Sequence, residues 1–131
     1  MAGLADYEAG AVLRAEDYDR AAKFYTEVLG LSPGETYEHM REGRFMAGSG
    51  TGIGIYERPG MPAPQNTTLG FQVPVDKLED VVADLRNKGV VFEEYDNPEI
   101  GLKTVNGIAE VEGRKAAWFK DSEGNILVLG V

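Results

Sequence analysis

The apolar and polar positions of the first half predict one strand, one helix and three further strands. The first strand is the apolar run at 11–15, and apolar side chains then recur at helical spacing over 17–29. Asp17 can cap this helix by accepting a hydrogen bond from a free first-turn amide, and Gly30 can end it. Extended stretches follow at 36–40, 44–47 and 52–57, separated by Glu42-Gly43 and by a Gly-Ser-Gly turn.

The second half repeats this pattern after a segment, 59–66, in which three prolines exclude a helix or an interior strand. A strand is predicted at 68–73 and a helix at 76–88, with Asp76 and Glu79 as a capping box and Gly89 at its end. Extended stretches are predicted at 90–95, 109–111, 115–120 and 126–130, with a long loop at 96–107.

The two predicted helices lie about 59 residues apart, which indicates an internal repeat. We therefore predict a single α+β domain over 1–131, built from duplicated βαβββ modules with the helices outside. Module one covers about 8–58, the linker 59–66 and module two about 67–131. Pairing two such units buries the helices on one side and leaves a concave sheet surface on the other.

Charge and composition narrow the classes of partner. The 22 acidic and 13 basic residues give a net charge of −9, which disfavours nucleic acid and anionic membranes as partners. This charge either serves solubility or attracts a cationic ligand. The absence of cysteine excludes disulfides, thiolate catalysis and zinc–thiolate sites. No signal peptide or apolar stretch of membrane-spanning length is evident, so a cytoplasmic location is expected.

Two local motifs resemble the vicinal oxygen chelate superfamily, which contains glyoxalases, bleomycin resistance proteins and extradiol dioxygenases. The segment 13–18 leads into Phe24-Tyr25 and then Val28-Leu29-Gly30-Leu31, similar to the opening strand and helix of that family. The segment 119–126, Phe-Lys-Asp-Ser-Glu-Gly-Asn-Ile, is similar to its closing hairpin. The resemblance implies paired modules that curl a curved mixed sheet around a cavity. Because the same fold supports many activities, it leaves the function open.

The resemblance also implies where a metal would bind in the metalloenzymes of the family. One ligand lies early in the first strand of each module, and a glutamate lies on the last strand of each. These positions correspond to Gly10, Thr68, Gly54 and Val128, none of which is a useful ligand for a divalent ion. The only histidine, His39, is expected at the surface, and Glu38 beside it on a strand would point the other way. We predict no metal and no cofactor.

Strand alternation predicts which side chains share the face that carries those four positions. Glycines leave this face bare, and aromatic rings could hold an aromatic ligand, although a bulge or ordinary core packing would explain the same residues. Arg14 and Gln72 are candidate polar anchors, unless Arg14 pairs with Glu110 or Glu112. The predicted ligand-binding residues are Trp118, Tyr56, Arg14, Gln72, Gly54, Gly52, Thr68, Val12 and Val128.

No nucleophile with a neighbouring base is evident, so catalytic residues are not assigned. We therefore expect a metal-independent protein of the bleomycin resistance type, which sequesters an aromatic or cationic drug-like natural product. The alternative is an enzyme of the same superfamily, such as a lyase, isomerase or dioxygenase. A homodimer is expected because small domains gain core by pairing and the family often shares its cavity between two chains.

Overall fold

A computed structural model describes residues 3–130 as two β-sheets that share one apolar core. The first sheet has the strand order β1-β4-β3-β2, and the second has the order β5-β10-β9-β8-β7-β6. In each sheet the first strand runs parallel to the last strand of its half, while the intervening pairs are antiparallel. The predicted α+β class with two repeated units is confirmed. Neither helix in the described residues is long and apolar enough to span a membrane.

The strands of the first sheet are close to those predicted, with one correction. They are β1 (Ala11–Ala15), β2 (Ser32–Tyr37), β3 (Glu42–Met46) and β4 (Gly52–Glu57). The strand predicted at 36–40 was wrong in position, because β2 ends at Tyr37 and a short 3-10 turn covers Glu38–Met40. His39 is therefore not on a strand, although it is exposed as expected.

The second sheet departs further from the predicted pattern. It contains β5 (Thr67–Phe71), β6 (Asp96–Asn97), β7 (Leu102–Val105), β8 (Ile108–Val111), β9 (Arg114–Lys120) and β10 (Ile126–Leu129). The strand predicted at 90–95 was wrong, since only Phe92 forms a bridge, opposite Phe119. The long loop predicted at 96–107 instead contains the short pair β6 and β7.

Both helices begin near the predicted residues. Helix α1 (Tyr18–Lys23) is capped by the Asp17 carboxylate, which accepts a hydrogen bond from the Arg20 amide at 3.1 Å, and it continues as a π-helical turn at Phe24–Val28. Helix α2 (Leu78–Asn87) begins after Lys77 without any side-chain cap, so the predicted capping box was wrong. Left-handed glycines follow both helices, Gly30 at φ 78° and Gly89 at φ 94°.

The helices pack on one face of the sheets and bury a single core. Tyr25, Leu78 and Phe119 are completely buried there, together with the inward-facing residues of the central strands. Alternation along β1, β3 and β4 sends every second side chain to the opposite face. We call the helix-free side of the first sheet its open face.

Candidate ligand-binding site

The open face of the first sheet carries a row of three residues with a gap at its centre. Val12 on β1 is paired in register with Gly54 on β4, and Gly54 with Arg44 on β3. Val12 is 68% exposed, although the three residues that follow it on β1 are buried. A Cβ added at Gly54 would meet only the two Val12 methyl groups, at 3.7 and 3.8 Å. Gly54 therefore leaves an open space between an apolar side chain and a guanidinium group.

A cavity of about 530 Å³ is lined by all three residues of this row. We call it the glycine cleft. It is lined by Glu8, Ala9, Gly10, Ala11, Val12, Arg44, Ser49, Gly50, Thr51, Gly52 and Gly54. An adjoining cavity of about 650 Å³ shares Gly10 and Gly52 with it and extends to β5, where Gly70 and Gln72 lie. These volumes are sufficient for a drug-sized molecule.

The positions that are glycine in the cleft are explained by different structural features. A Cβ at Gly52 would lie 2.9 Å from Met46 Sδ, so the Met46 side chain already fills the space over Gly52. A Cβ at Gly10 would lie 3.2 Å from the Gly52 carbonyl oxygen, which shows that these two backbones approach closely. Packing therefore explains Gly52 and Gly10, and the left-handed backbone at φ 74° explains Gly50, whereas Gly54 lies on an ordinary strand and leaves space for a ligand.

Trp118 lies on the corresponding face of the second sheet, away from the glycine cleft. Its neighbours Ala117 and Phe119 are fully buried on the helix side, and Trp118 is paired with Val128 on β10. Its half-buried ring makes an edge-on contact with Tyr95, with ring centroids 5.5 Å apart. Trp118 and Tyr95 form an aromatic pair, of which the sequence analysis had identified only Trp118.

Arg14 is held by the closing hairpin and does not line the cleft. Its side chain is 7% exposed, and Nη1 donates hydrogen bonds to the Glu123 carbonyl oxygen at 2.7 Å and to Asn125 Oδ1 at 3.3 Å. Asn125 Nδ2 donates in return to the Arg14 carbonyl oxygen at 2.9 Å. The carboxylates proposed as its partners, Glu110 and Glu112, are not involved.

The same hairpin binds the start of helix α1. Glu123 accepts hydrogen bonds from the Asp17 amide at 2.8 Å and from Arg20 Nε at 2.8 Å. Burial alone would raise the pKa of Glu123, but the hydrogen bonds from Arg20, Ser122 and the Asp17 amide outweigh it and lower the pKa below its ordinary value. Glu123 is therefore an ionised, fully engaged carboxylate, and no free acid for catalysis is found there.

Asp121 completes this arrangement, which we call the hairpin latch (Arg14, Asp17 and Arg20 with Asp121, Glu123 and Asn125). Its buried carboxylate accepts hydrogen bonds from the Tyr25 hydroxyl at 2.6 Å and from the amides of Glu123 and Asn125, both at 2.8 Å. Burial, followed by the charge of Asp121, raises the pKa of Tyr25. The Tyr25 hydroxyl is thus a permanent donor, and the latch is structural.

The positions that correspond to metal ligands do not suit a metal. Gly10 and Gly54 have no side-chain donor, and Val128 is 5% exposed within the second sheet. Thr68 Oγ1 donates a hydrogen bond to the Ile126 carbonyl oxygen at 3.2 Å, which leaves only a neutral hydroxyl. Within residues 3–130, no three His, Cys, Asp or Glu side chains are grouped so that they could hold a metal ion. These donors do not fit the divalent-ion site that the family resemblance implies.

The structure brings together only part of the predicted site. Val12, Gly52 and Gly54 line the glycine cleft, and Gln72 lines the adjoining cavity. Five predicted residues line neither cavity: Trp118, Tyr56, Arg14, Thr68 and Val128. The ring of Tyr56 is covered on one face by its neighbour Arg58, whose guanidinium carbon lies 4.6 Å from the ring centroid.

Four polar side chains of the cleft were missed from the sequence: Glu8, Arg44, Ser49 and Thr51. Arg44 lies on β3, whose start was predicted two residues too late, so its pairing with Gly54 was not considered. Ser49 is in the turn between β3 and β4 with φ 56°, a left-handed conformation that a Gly-Ser-Gly sequence favours only weakly at serine. Register between strands, rather than composition, was the missing signal.

Comparisons with known proteins agree on the fold. A family model described as the glyoxalase/bleomycin resistance protein/dioxygenase superfamily matches residues 9–129. No curated protein sequence matches this chain. An integron cassette protein from the mobile metagenome of the Halifax Harbour sewage outfall is 17% identical with a TM-score of 0.69, covering 94% of this chain and 97% of its own.

Two further solved structures have the same fold at similarly low identity. The fosfomycin resistance protein FosX from Listeria monocytogenes is 15% identical with a TM-score of 0.71, covering 95% of this chain and 90% of its own. The oxidase ChaP-H2 is 19% identical with a TM-score of 0.65, covering 94% and 91%. Since the family model covers almost the whole chain, this protein belongs to the glyoxalase/bleomycin resistance protein/dioxygenase superfamily.

Proposed function

We propose that this chain is a metal-independent binding protein that sequesters a drug-like small molecule on the open face of its first sheet. The observation that carries this proposal is Gly54. It lies where the family's metalloenzymes have a glutamate ligand, and here it is a bare position over a cavity of about 530 Å³. A position that carries a metal ligand in those relatives thus leaves room here for an organic molecule.

The aromatic pair of the second sheet supports the aromatic character of that ligand. Trp118 and Tyr95 make an edge-on pair on the face opposite helix α2, and Trp118 is only half-buried. A planar ligand stacked on a tryptophan ring gains apolar contact without needing a charged partner. Because Trp118 does not line the glycine cleft in one chain, this contribution requires the second sheet of a partner copy.

A homodimer is therefore part of the proposal. The edges of β1 and β5 do not support it, because these two strands approach each other within the described chain. The support comes instead from Leu4, Tyr7 and Val12, which are 85%, 67% and 68% exposed and which a partner copy would cover. Light scattering at tens of micromolar should give the mass of two chains, and a monomer mass would contradict this part of the proposal.

The test of binding is a thermal-shift screen of aromatic antibiotics and related natural products, in EDTA and with added nickel, zinc or manganese. A ligand that binds the native state raises the unfolding temperature, and we expect the same shift with and without metal. Elemental analysis of protein purified without EDTA should find no stoichiometric metal. A shift that requires added metal, or about one equivalent of bound metal, would overturn the proposal.

Trp118→Ala tests whether the aromatic pair takes part. We expect each hit to lose more than about 1 kcal/mol of affinity while the protein stays folded. Trp118→Phe should give an intermediate loss, since it keeps apolar volume but changes the stacked ring. If Trp118→Ala binds every hit as tightly as the parent, the second sheet does not contribute and the glycine cleft binds alone.

The fold neighbours favour an enzyme as the second candidate. FosX is a fosfomycin resistance protein, one of its structures contains manganese(II) with a dihydroxypropylphosphonic acid, and ChaP-H2 is an oxidase. A lyase, isomerase or dioxygenase-like activity on the bound molecule would fit these relatives. Mass spectrometry of each hit after prolonged incubation with the protein distinguishes the two, because a sequestering protein returns its ligand unchanged.

A further inference from the structure

Arg44 is an arginine without an acidic partner in a strongly acidic chain. The chain has 22 acidic and 13 basic residues, and several basic side chains elsewhere do form salt bridges. Arg20 pairs with Glu123 at 2.8 Å, and Arg41 with Glu57 at 3.1 Å. Within residues 3–130, Arg44 makes no salt bridge and no side-chain hydrogen bond; the same is true of Lys77, Lys103 and Arg114, but only Arg44 among these four lines the glycine cleft. Its guanidinium is therefore free to bind an external group.

The surroundings of Arg44 are those of a binding site for a small ligand. Arg44 adjoins Gly54 on the open face, and Gly54 has no side chain to fill the space toward Val12. The hydroxyl groups of Ser49 and Thr51 line the same cavity. The Thr51 hydroxyl donates to the Gly48 carbonyl oxygen at 2.6 Å, so the Arg44 guanidinium and the Ser49 hydroxyl are the side-chain donors that the cleft offers to a ligand.

We propose that the glycine cleft binds the anionic group of its ligand, a carboxylate, phosphonate or phosphate, through Arg44. The guanidinium fork matches such groups with two parallel hydrogen bonds and stays charged over the whole physiological pH range. This inference rests on the proposed function and specifies the charge of the ligand. It is the opposite of the cationic ligand expected from net charge, because the residues next to a ligand, not the total charge, select it.

Glu8 is the one carboxylate that lines the cleft, and its negative charge allows a second test with the opposite expected effect. A negative charge at the edge of an anion site weakens binding. Glu42 lies one row further along the sheet, opposite Tyr56, and does not line the cleft. Removing the charge of Glu8 should therefore strengthen binding of an anion, while removing that of Arg44 should weaken it.

The experiment uses three probes that share one benzene ring but differ in charge: phenylphosphonate, benzyl alcohol and benzylammonium. Amide NMR titrations of the whole protein give the affinity and the location of each. We expect phenylphosphonate to shift the amide signals of Val12 and Gly54 and to bind at least about tenfold more tightly than benzyl alcohol. Stronger binding by benzylammonium, or equal binding by all three, would overturn the proposal.

Variants separate this inference from the proposed function. Arg44→Gln should weaken phenylphosphonate binding at least about tenfold and benzyl alcohol binding much less, so that the preference is lost. Arg44→Lys should keep part of the preference, and Glu8→Gln should increase it. Lys23→Gln is the control, since Lys23 has the same charge and is 78% exposed on helix α1. If benzyl alcohol binds at Gly54 and Arg44→Gln changes nothing, the inference fails and the proposed function stands. If no probe shifts Val12 or Gly54, both fail.

Discussion

Two arginines on the same side of the first sheet have opposite surroundings. Arg14 is 7% exposed and bonded to the backbone and side chain of the closing hairpin, which also binds helix α1 through Glu123. Arg44 lies two strands away, exposed beside Gly54 and without an acidic partner in the described residues. The first arginine joins the two halves of the chain, whereas the second is available to a ligand.

The difference shows that, in this chain, the hairpin resembling the family's closing motif has a structural role and is not a binding site. The hairpin at 119–126 supplies Asp121, Glu123 and Asn125, and the hydrogen bonds of their side chains lie within the protein. The glycine cleft is made of residues that resemble no motif. The latch buries its groups almost fully paired, Arg14 Nε being the one buried side-chain donor of the described residues without a partner, whereas the guanidinium of Arg44 is exposed to a ligand.

The largest effect is expected when the hairpin latch is broken at Asp121. Asp121→Ala leaves the Tyr25 hydroxyl and two backbone amides buried without an acceptor, which should lower the free energy of unfolding by about 3 kcal/mol or more. Urea denaturation measures this. Asp19→Ala is the matched control, because Asp19 is 79% exposed in a surface pair with Arg41 and should cost less than about 1 kcal/mol. Equal losses would contradict a structural latch.

A smaller effect concerns pH and isolates Glu123. Its pKa is lower in the folded chain than the ordinary value of 4.5, so its ionised form stabilises the fold above that pH, and this contribution is lost as the pH falls toward the folded pKa. Glu123→Gln should lower stability by about 1 to 2 kcal/mol at pH 7 and reduce the loss of stability between about pH 5 and pH 3.

The pKa of Glu57 is also lowered, by hydrogen bonds from Arg41 and the Tyr18 amide, so Glu57 contributes to the same acid response. The effect of Glu123 is therefore measured against a control variant at an exposed carboxylate. Glu27→Gln removes a carboxylate that is 63% exposed and should leave the acid profile unchanged. Thermal unfolding followed from pH 7 to pH 3 distinguishes the variants. Parallel profiles for Glu123→Gln and the parent would show that Glu123 does not contribute.

The smallest effects are expected from alanine substitutions at two glycines of the cleft, Gly54 and Gly52. Gly54→Ala places a methyl group at ordinary contact distance from Val12 and should be neutral or stabilise the fold by about 0.5 kcal/mol, because alanine restricts the unfolded chain. It should also weaken binding of any ligand that occupies the row. Gly52→Ala should destabilise the fold by about 0.5 to 1 kcal/mol, since its methyl group displaces Met46.

Urea denaturation of both alanine variants tests whether a methyl group is tolerated at Gly54 but not at Gly52. The double variant Gly52→Ala with Met46→Ala removes the contact between the two side chains, so its loss should be smaller than the sum of the single losses. Equal destabilisation by Gly52→Ala and Gly54→Ala would mean that packing, rather than space for a ligand, explains both glycines.

Much of the fold could be predicted because local patterns determine it. The apolar run of β1, the Asp17 cap and the glycines after both helices were each identified from a few neighbouring residues, and the repeat followed from their spacing. The errors lie where local signals are weak. The pair β6 and β7 was taken for a loop because its turn-forming residues hide two short strands.

Three features could be predicted from the sequence alone. They are the repeated α+β plan, the face on which Val12 and Gly54 lie, and the lack of metal-ligand side chains at the four corresponding positions. These follow from alternation, punctuation and residue type. Only the tertiary structure reveals that Arg14 is hydrogen-bonded to the closing hairpin and that Arg44 is exposed beside Gly54. Both residues are arginines on strands of the first sheet, but the partners of Arg14 lie 109 or more residues away, and Arg44 has only a glycine beside it on the neighbouring strand. Contacts at that separation depend on strand register and packing, which no local pattern contains.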